Sequence, residues 1–357
     1  MTDAGDNSDY LDRLVDEAAL REYLTANLGA AERFAVTYHQ AGHSNETLFV
    51  DWGARELVLR RPPAGPTADS AHDVLREYRV MEALQTTDVP LPETVLACDD
   101  HDVIGSDFYL MERLAGDVVR EEEPERFATP AHRKRIGEEL IDVGAAIHTL
   151  DPAAVGLGDL GYPEGYTERQ VRRWTEQIEW ATEVTAEVRE LPELFEVADW
   201  LADNVPEPPA HTLVHGDFKL DNTMLGPGTP PEIVGVFDWE MCTRGNPFMD
   251  LGWMLAYWPD ETDPEATKEL TPRILAHPDY PTRRELLERY EAQTDLTFER
   301  DRFYRTFGVY KMAAASEMFY RRYLEGNSND PSYPKMEEMV PDYAAWARRI
   351  IDGEEPL

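Results

Sequence analysis

Apolar positions along the first part of the chain follow two different spacings. Residues 10–24 carry apolar side chains three and four positions apart, which predicts an amphipathic helix. Three short runs rich in β-branched and aromatic residues follow, and Gly42 and Gly53 separate them. The runs are residues 34–39, 47–52 and 56–61. They predict an antiparallel meander, which ends where prolines follow.

The next segments complete a small lobe of sheet and helix. Residues 70–84 have helical spacing, with Val74, Tyr78 and Met81 on one face. Residues 94–97 and 108–112 predict two more strands. We therefore expect a five-stranded antiparallel sheet crossed by one helix. The expected domain boundary follows residue 114, which gives domains at 1–114 and 115–357.

The remainder of the chain has mainly helical periodicity. The predicted helices are residues 131–150, 168–188, 193–201, 283–290, 302–324 and 342–351. Two apolar runs, at residues 212–214 and 233–237, predict short buried strands. The pattern as a whole indicates an α+β protein with a small sheet domain and a larger helical one.

Charge then narrows the range of partners. The chain has 34 basic and 71 acidic side chains, a formal net charge of −37, while 42% apolar residues suffice for a core. Such a charge repels phosphate backbones and anionic membranes, so we expect neither as a partner. The five lysines and the acid excess favour a halophilic host, with an acidic protein of an ordinary cell as the alternative. No signal-peptide pattern opens the chain, so we expect a cytoplasmic protein.

Polar residues are concentrated in the loops after the two short strands. Residues 215–222 read HGDFKLDN, and residues 237–240 read FDWE. Phosphoryl transfer to a hydroxyl needs one carboxylate that orients the hydroxyl and accepts its proton. Mg²⁺ with ATP needs a separate carboxylate and an amide oxygen on adjoining loops. Asp217 fits the first role, and Asn222 and Asp238 fit the second.

With these motifs, the chain resembles the aminoglycoside phosphotransferase and choline kinase superfamily. It is most similar to the phosphotransferase-like domains joined to acyl-CoA dehydrogenase family members 10 and 11. The segments that carry the resemblance are GHSN, LVLRRPP, LREYRVMEAL, FYLMERLAG, GYTERQVRRW, LVHGDFKLDN, VFDWE and NPFMDLGWMLAYW. The resemblance implies a protein-kinase-like, two-lobed α+β fold. It also implies ATP and Mg²⁺ as cofactors and a small-molecule hydroxyl as phosphate acceptor.

The resemblance assigns roles to residues of the two polar loops. Asp217 matches the catalytic aspartate, and Asn222 and Asp238 match the two metal ligands. Lys219 would neutralise charge on the transferred phosphate, with a solvated loop lysine as the alternative. Asp250 matches a helix-start aspartate that accepts hydrogen bonds from the catalytic loop.

Arg60 stands where this fold usually carries a lysine that holds the α- and β-phosphates, and Glu77 matches its helix partner. Side chains alternate along a strand, so only one of Arg60 and Arg61 can reach the cleft, and we assign Arg60. Arginine remains charged and can grip phosphate with two hydrogen bonds. The alternative is a pair of solvated charges at a strand end.

Four more residues match nucleotide-binding segments of the family. Ser44 and Asn45 match the loop that covers the phosphates, for which a plain hairpin turn is the alternative. Met111 and Arg113 match the connector between lobes, whose main chain can hydrogen-bond adenine.

The acceptor is less defined. Arg169, Arg172 and Arg173 form a local cationic cluster that would suit an anionic acceptor. The resemblance to the domains joined to acyl-CoA dehydrogenases implies a hydroxyacyl-CoA, whose phosphates would meet Arg172 or Arg173, although ion pairs along a helix explain the cluster equally well. The alternatives are an aminoglycoside- or choline-type acceptor and a catalytically silent nucleotide-binding module. Trp253 and Tyr257 have helical spacing, which indicates core packing or a substrate wall.

Overall fold

The computed structural model divides into two compact units. Residues up to Gly116 together with Val234–Glu240 form the first, and Asp117–Ile233 with Met241–Leu357 form the second. The structure describes residues 10–39, 45–64, 73–260, 263, 265–328, 330–355 and 357. The expected boundary after residue 114 assigned residues 234–240 to the second domain. They group with the first unit, where the Val236 N–H donates to the Pro90 carbonyl.

The first unit is built on a five-stranded antiparallel sheet in the order β1-β2-β3-β5-β4, as predicted. The strands are β1 (Phe34–His39), β2 (Glu46–Trp52), β3 (Arg55–Arg61), β4 (Thr94–Cys98) and β5 (Phe108–Glu112). Gly53 turns the chain between β2 and β3 with a φ of 63°. The register sets Arg60 opposite Thr47 of β2 and Tyr109 of β5.

Among the described residues, the helices α1 (Glu17–Leu28), α2 (Val74–Leu84) and α3 (His101–Ile104) accompany this sheet, and a short helical segment at residues 10–14 precedes α1. The single helix predicted over residues 10–24 is two, because Asp16 accepts hydrogen bonds from the first turn of α1 and so caps a new helix after residues 10–14. Leu20 and Leu24 of α1 pack into the apolar core of the sheet. In α2 the buried face includes Glu77 among apolar residues.

The second unit is mainly helical, as predicted. Its helices are α4 (Pro130–Thr149), α5 (Tyr166–Thr185), α6 (Pro192–Asp203), α7 (Pro247–Ala256), α8 (Glu265–Glu269), α9 (Arg283–Thr294), α10 (Asp301–Leu324) and α11 (Met336–Asp352). The short strands of the polar region are β6 (Thr212–Val214), β7 (Thr223–Leu225), β8 (Ile233–Val236) and β9 (Thr243–Gly245). β6 pairs antiparallel with β9. Strands β7 and β9 were not predicted, because the sequence of β9, TRG, has no apolar run and β7 directly follows the 3₁₀ turn of the polar loop.

Helix α10 runs through the interior of the second unit. It is buried without interruption from Phe303 to Ala314, which fits a helix that is apolar around most of its circumference. It crosses α7 where Gly308 faces Gly252. A Cβ on Gly308 would overlap the carbonyl oxygen of Gly252, and a Cβ on Gly252 would overlap the carbonyl oxygen of Tyr304. The two glycines therefore permit a close approach of the helix backbones.

Within the described residues, no helix combines the length and the apolar content required to cross a membrane.

Candidate active site

The loop between β6 and β7 begins with a turn that requires glycine. Gly216 has a φ of 86°, and a Cβ there would lie 2.7 Å from the Met241 Cβ. Asp250 of α7 accepts the main-chain N–H groups of His215, at 2.6 Å, and Gly216, at 2.9 Å. These are the hydrogen bonds expected of Asp250. They tie this loop, which the sequence predicts to be the catalytic loop, to the start of α7.

The carboxylate of Asp217 is held through both oxygens. The Trp253 indole N–H donates to Oδ1 at 2.8 Å, and Lys219 Nζ and Asn222 Nδ2 donate to Oδ2 at 2.9 Å and 2.7 Å. Burial by itself raises the pKa of Asp217, but the charges of Lys219 and Lys311 outweigh it and lower the pKa. The carboxylate is therefore ionised at neutral pH.

Asn222 returns to Asp217 through a 3₁₀ turn, Leu220–Asn222. Its side-chain Nδ2 donates two hydrogen bonds, one to Asp217 Oδ2 at 2.7 Å and one to the Asp217 carbonyl oxygen at 2.8 Å. Its Oδ1 takes part in neither, and an amide oxygen is a ligand type that Mg²⁺ prefers. The five-residue spacing in the sequence thus brings these two side chains together.

Lys219 is enclosed by acidic and aromatic groups. Its Nζ lies 2.9 Å from Asp217 Oδ2 and 3.8 Å from Asp221 Oδ2, and it faces the rings of Trp253 and Tyr257. The side chain is only 14% exposed. This burial does not match the alternative of a solvated loop lysine.

Two groups at Asp217 were not foreseen from the sequence. The spacing of Trp253 indicates the core or a substrate wall, yet its indole N–H contacts the carboxylate of Asp217 directly. Lys311 of α10 lies 3.9 Å from Asp217 Oδ1. One sequence signal indicated it, since Lys311 is a lone lysine within a long apolar helical pattern in a lysine-poor chain.

In the first unit, Arg60 bridges two carboxylates. Its Nη2 lies 3.1 Å from Asp238 Oδ1 and 3.8 Å from Glu77 Oε1. Burial raises the pKa of Glu77 to about 7, and the charge of Arg60 opposes this rise. Arg61 points to the other face, where it donates to the carbonyl oxygens of Leu14 and Ile104. The expected alternation of the two arginines is present.

Asn45 and Asp238 lie in the same unit. Asn45 Nδ2 donates to Glu240 Oε2 at 3.3 Å, a partner that the sequence did not suggest. Asp238 has a φ of 68°, a left-handed conformation that is uncommon outside glycine. Ser44, the other predicted residue of the phosphate-covering loop, lies outside the described residues.

The predicted connector forms part of the sheet. Met111 lies in β5, in register with Val58 and Thr94. The Arg113 N–H donates to the Glu56 carbonyl, and its guanidinium stacks 3.9 Å from the centre of the Phe49 ring. One of the main-chain donors expected to meet adenine is therefore already hydrogen-bonded.

The cationic cluster on α5 is divided among separate contacts. Arg169 donates to the carbonyl oxygens of Tyr162 and Glu164. Arg172 is exposed and lies 3.6 Å from Glu176 one turn along the helix. The charge of Arg173 acts on Lys311, whose pKa it helps to lower. Among the three arginines, Arg173 is thus the one whose charge acts on Lys311 beside Asp217.

A cavity of about 230 Å³ lies next to the catalytic loop within the second unit. Its wall is largely apolar and includes Val119, Leu140, Leu220, Met254, Ile274 and Leu275. Asp221 and Tyr257 also line it, and both face Lys219. The cavity therefore adjoins the side chains that surround Asp217.

The chain has clear relatives. The family model described as "Phosphotransferase enzyme family" matches residues 35–286. Acyl-CoA dehydrogenase family member 11 of Gallus gallus is 32% identical over 336 residues, which cover 91% of this chain and 42% of that protein. The chain thus spans less than half the length of this relative.

Two solved structures have the same fold. A Ralstonia eutropha protein provisionally described as an aminoglycoside phosphotransferase is 31% identical, with a TM-score of 0.75 over 93% of this chain and 99% of that one. A ternary complex of an aminoglycoside phosphotransferase with AMP-PNP and hygromycin B is 15% identical, with a TM-score of 0.58 over 93% and 98% of the two chains. The chain therefore belongs to the phosphotransferase enzyme family, and the predictions of a kinase-like α+β fold and of a small-molecule kinase are confirmed at the level of that family.

Proposed function

We propose that this protein transfers the γ-phosphate of ATP, with Mg²⁺, to a hydroxyl group of a small molecule. The geometry of Asp217 carries the proposal. A carboxylate has about four acceptor sites, and three are used by Trp253, Lys219 and Asn222, so one remains for the acceptor hydroxyl. Phosphoryl transfer depends on alignment more than on a strong base, so a carboxylate with a lowered pKa suits the task.

Asn222 and Asp238 are the proposed Mg²⁺ ligands. Among the described residues, no cluster of three or more His, Cys, Asp or Glu side chains forms a ready-made metal site. Mg²⁺ needs none when ATP supplies phosphate oxygens, because one or two protein oxygens then complete its coordination. When bound, the metal neutralises charge on the phosphates. Asn222 Oδ1 and the carboxylate of Asp238 are oxygen ligands of the required type.

The nucleotide phosphates are the proposed ligands of Arg60. Its Nε is buried and has no hydrogen-bond partner within the described part of the chain, and a phosphate oxygen would satisfy it. Glu77 is the proposed support of Arg60. Ser44 and Asn45 as a phosphate cover, and Met111 and Arg113 as an adenine connector, remain predictions.

Lys219 is proposed to act on the transferred phosphate. Its ammonium group is close to Asp217 and carries a charge that a γ-phosphoryl oxygen can attract. Nucleotide use is supported by the solved relative with AMP-PNP. The more similar relatives, which are named as acyl-CoA dehydrogenase family members, inform the choice of acceptor and not the choice of nucleotide.

We propose a hydroxyacyl-CoA as the acceptor. The largely apolar cavity beside Leu220 and Asp221 suits an acyl chain better than a polycationic sugar. Arg172 is exposed and only loosely paired, so it is free to meet the phosphates of a coenzyme at the surface. An aminoglycoside- or choline-type amine is the competing acceptor class.

The decisive experiment is an acceptor panel with γ-labelled ATP and Mg²⁺ in molar salt. Hydroxyacyl-CoA thioesters of increasing chain length are compared with the free hydroxy acids, choline and kanamycin, and products are identified by mass spectrometry. Asp217→Asn is the control, and it is expected to bind AMP-PNP normally while product formation falls by about two orders of magnitude. Product from kanamycin or choline would replace the proposed acceptor. Nucleotide binding without any product would favour the catalytically silent module instead.

A further inference from the structure

Lys311 is a buried cation in the interior helix α10. Its side chain is 5% exposed. Its Nζ donates to the Gly216 carbonyl at 2.6 Å and lies 3.9 Å from Asp217 Oδ1. The same Nζ sits 3.8 Å from the centre of the Trp253 ring, and Trp253 donates to that same Oδ1. Its contacts thus converge on the loop that carries Asp217.

A lysine in this position is costly without a compensating interaction, because burial removes water from its charge. Burial lowers the pKa of Lys311 to about 8, and the charge of Asp217 opposes that effect. Lys219 and Arg173 also lower this pKa, whereas Asp250 raises it. The carboxylate of Asp217 contributes most to favouring the charged lysine.

The crossing of α7 and α10 sets the distance between these groups. Gly252 and Gly308 permit the close approach, as described above. Trp253 follows Gly252 directly, and Lys311 lies one helical turn after Gly308. A wider separation of the helices would lift Nζ from the Trp253 ring and from the Gly216 carbonyl.

We propose that Lys311 is a positioning residue for Asp217, whose orientation it fixes through the Gly216 carbonyl and the face of Trp253. The inference rests on the proposed function. It also gives Lys219 and Lys311 different roles. Lys219 contacts Oδ2 and is available to a phosphate, whereas Lys311 faces Oδ1 from the interior and stays with the carboxylate.

Other groups also hold the carboxylate of Asp217. Lys219 donates to its Oδ2 and the Trp253 indole donates to its Oδ1. Asp221 lies on the far side of Lys219. Loss of Lys311 therefore leaves Asp217 partly held, so a change of its orientation is expected rather than collapse of the loop.

The test compares Lys311→Met, which has a similar length and no charge, with Lys311→Arg, which keeps the charge. Arg305→Met is the matched control, because Arg305 is a buried cation of the same helix that donates to the Glu355 carbonyl instead. Lys311→Met is expected to lower kcat about tenfold while AMP-PNP affinity stays within about twofold. Lys311→Arg should recover part of the loss, and Arg305→Met should lower Tm without changing kcat of the folded protein. An unchanged kcat in Lys311→Met overturns the proposal.

A second readout does not depend on activity. Hydrogen–deuterium exchange of the peptide that covers residues 215–222 reports how firmly the loop is held, because Lys311 donates to the Gly216 carbonyl. Lys311→Met is expected to exchange faster in this peptide than the wild type and Arg305→Met, whereas Lys311→Arg should recover part of the protection. Unchanged exchange of this peptide in Lys311→Met contradicts the positioning role. Faster exchange of this peptide in a protein that phosphorylates nothing keeps this role and rejects the proposed function.

Discussion

The guanidinium of Arg60 lies 3.1 Å from the carboxylate of Asp238. This contact joins strand β3 to segment 234–240 within the first unit, and it brings a proposed phosphate ligand to a proposed metal ligand. Glu77 Oε1 lies 3.8 Å from Nη2 of the same guanidinium. Arg60 therefore balances two carboxylates that would otherwise repel each other.

Removal of this charge should weaken both nucleotide binding and the first unit. Arg60→Ala is expected to lower the affinity for Mg²⁺ and AMP-PNP at least tenfold, measured by calorimetry, and to cost about 3 kcal/mol of stability, because a buried charge set loses its cation. Arg60→Lys should have an affinity and a stability between those of the wild type and Arg60→Ala. Arg55→Ala is the control, because Arg55 lies on the same strand, is paired with Glu112 and has 41% of its side chain exposed, against 15% for Arg60. Equal affinity in Arg60→Ala and wild type would rule out the phosphate role.

Lys219 should matter for transfer rather than for binding. Lys219→Ala is expected to reduce kcat about 100-fold, the range found when one charge-stabilising group is removed from a transition state. The dissociation constant for AMP-PNP should change only a few-fold. Lys335→Ala, at an exposed lysine, serves as control. A wild-type turnover number in Lys219→Ala would reject the role.

Asp250 should make stability depend on pH in the acid range. Burial raises the pKa of Asp250, but the hydrogen bond and charge of His148 outweigh it, so the pKa is below its ordinary value of 3.8. A lowered folded-state pKa means that the carboxylate contributes stability above the unfolded-state pKa, and that this contribution is lost as the pH falls through the folded-state value.

Asp250→Asn is therefore expected to cost about 2 kcal/mol at neutral pH, with a difference from wild type that narrows on acidification below about pH 4. Urea unfolding of both proteins at a series of pH values measures this difference in the free energy of unfolding. Asp107→Asn, at an exposed carboxylate near His101, should show little of this effect. A pH-independent difference for Asp250→Asn would contradict the assignment.

Filling the cavity should discriminate between acceptors by chain length. Ile274 is a half-buried residue of its wall, and Ile274→Trp should raise KM for long hydroxyacyl-CoA thioesters about tenfold, a loss typical of displaced apolar groups. Short thioesters should be little affected, and Ile274→Val is the control. The cavity does not hold the acyl chain if KM rises equally for all lengths.

Salt should stabilise the protein. At a net charge of −37, self-repulsion is strong at low ionic strength, and the Debye length falls from about 10 Å at 0.1 M to about 3 Å at 1 M salt. We expect Tm and activity to rise with KCl over this range. A protein that becomes more active as salt is removed would contradict the prediction of a halophilic host.

Some features of the fold and the site were accessible from the sequence because they are local. The alternation that sends Arg60 and Arg61 to opposite faces follows from the two-residue period of a strand. The turn that returns Asn222 to Asp217 spans five residues. The break at Asp16 was missed because the apolar spacing continues across it, while the capping hydrogen bonds depend on backbone geometry.

The sequence by itself determined the family and the antiparallel sheet, and it predicted the residues of the catalytic loop, since these are expressed in short-range periods and motifs. Only the tertiary structure decided what surrounds Asp217. Trp253 is 36 residues from Asp217, and Lys311 is 95 residues from Gly216. No local period encodes such contacts, because they depend on how closely two helices pack, and two glycines set that distance.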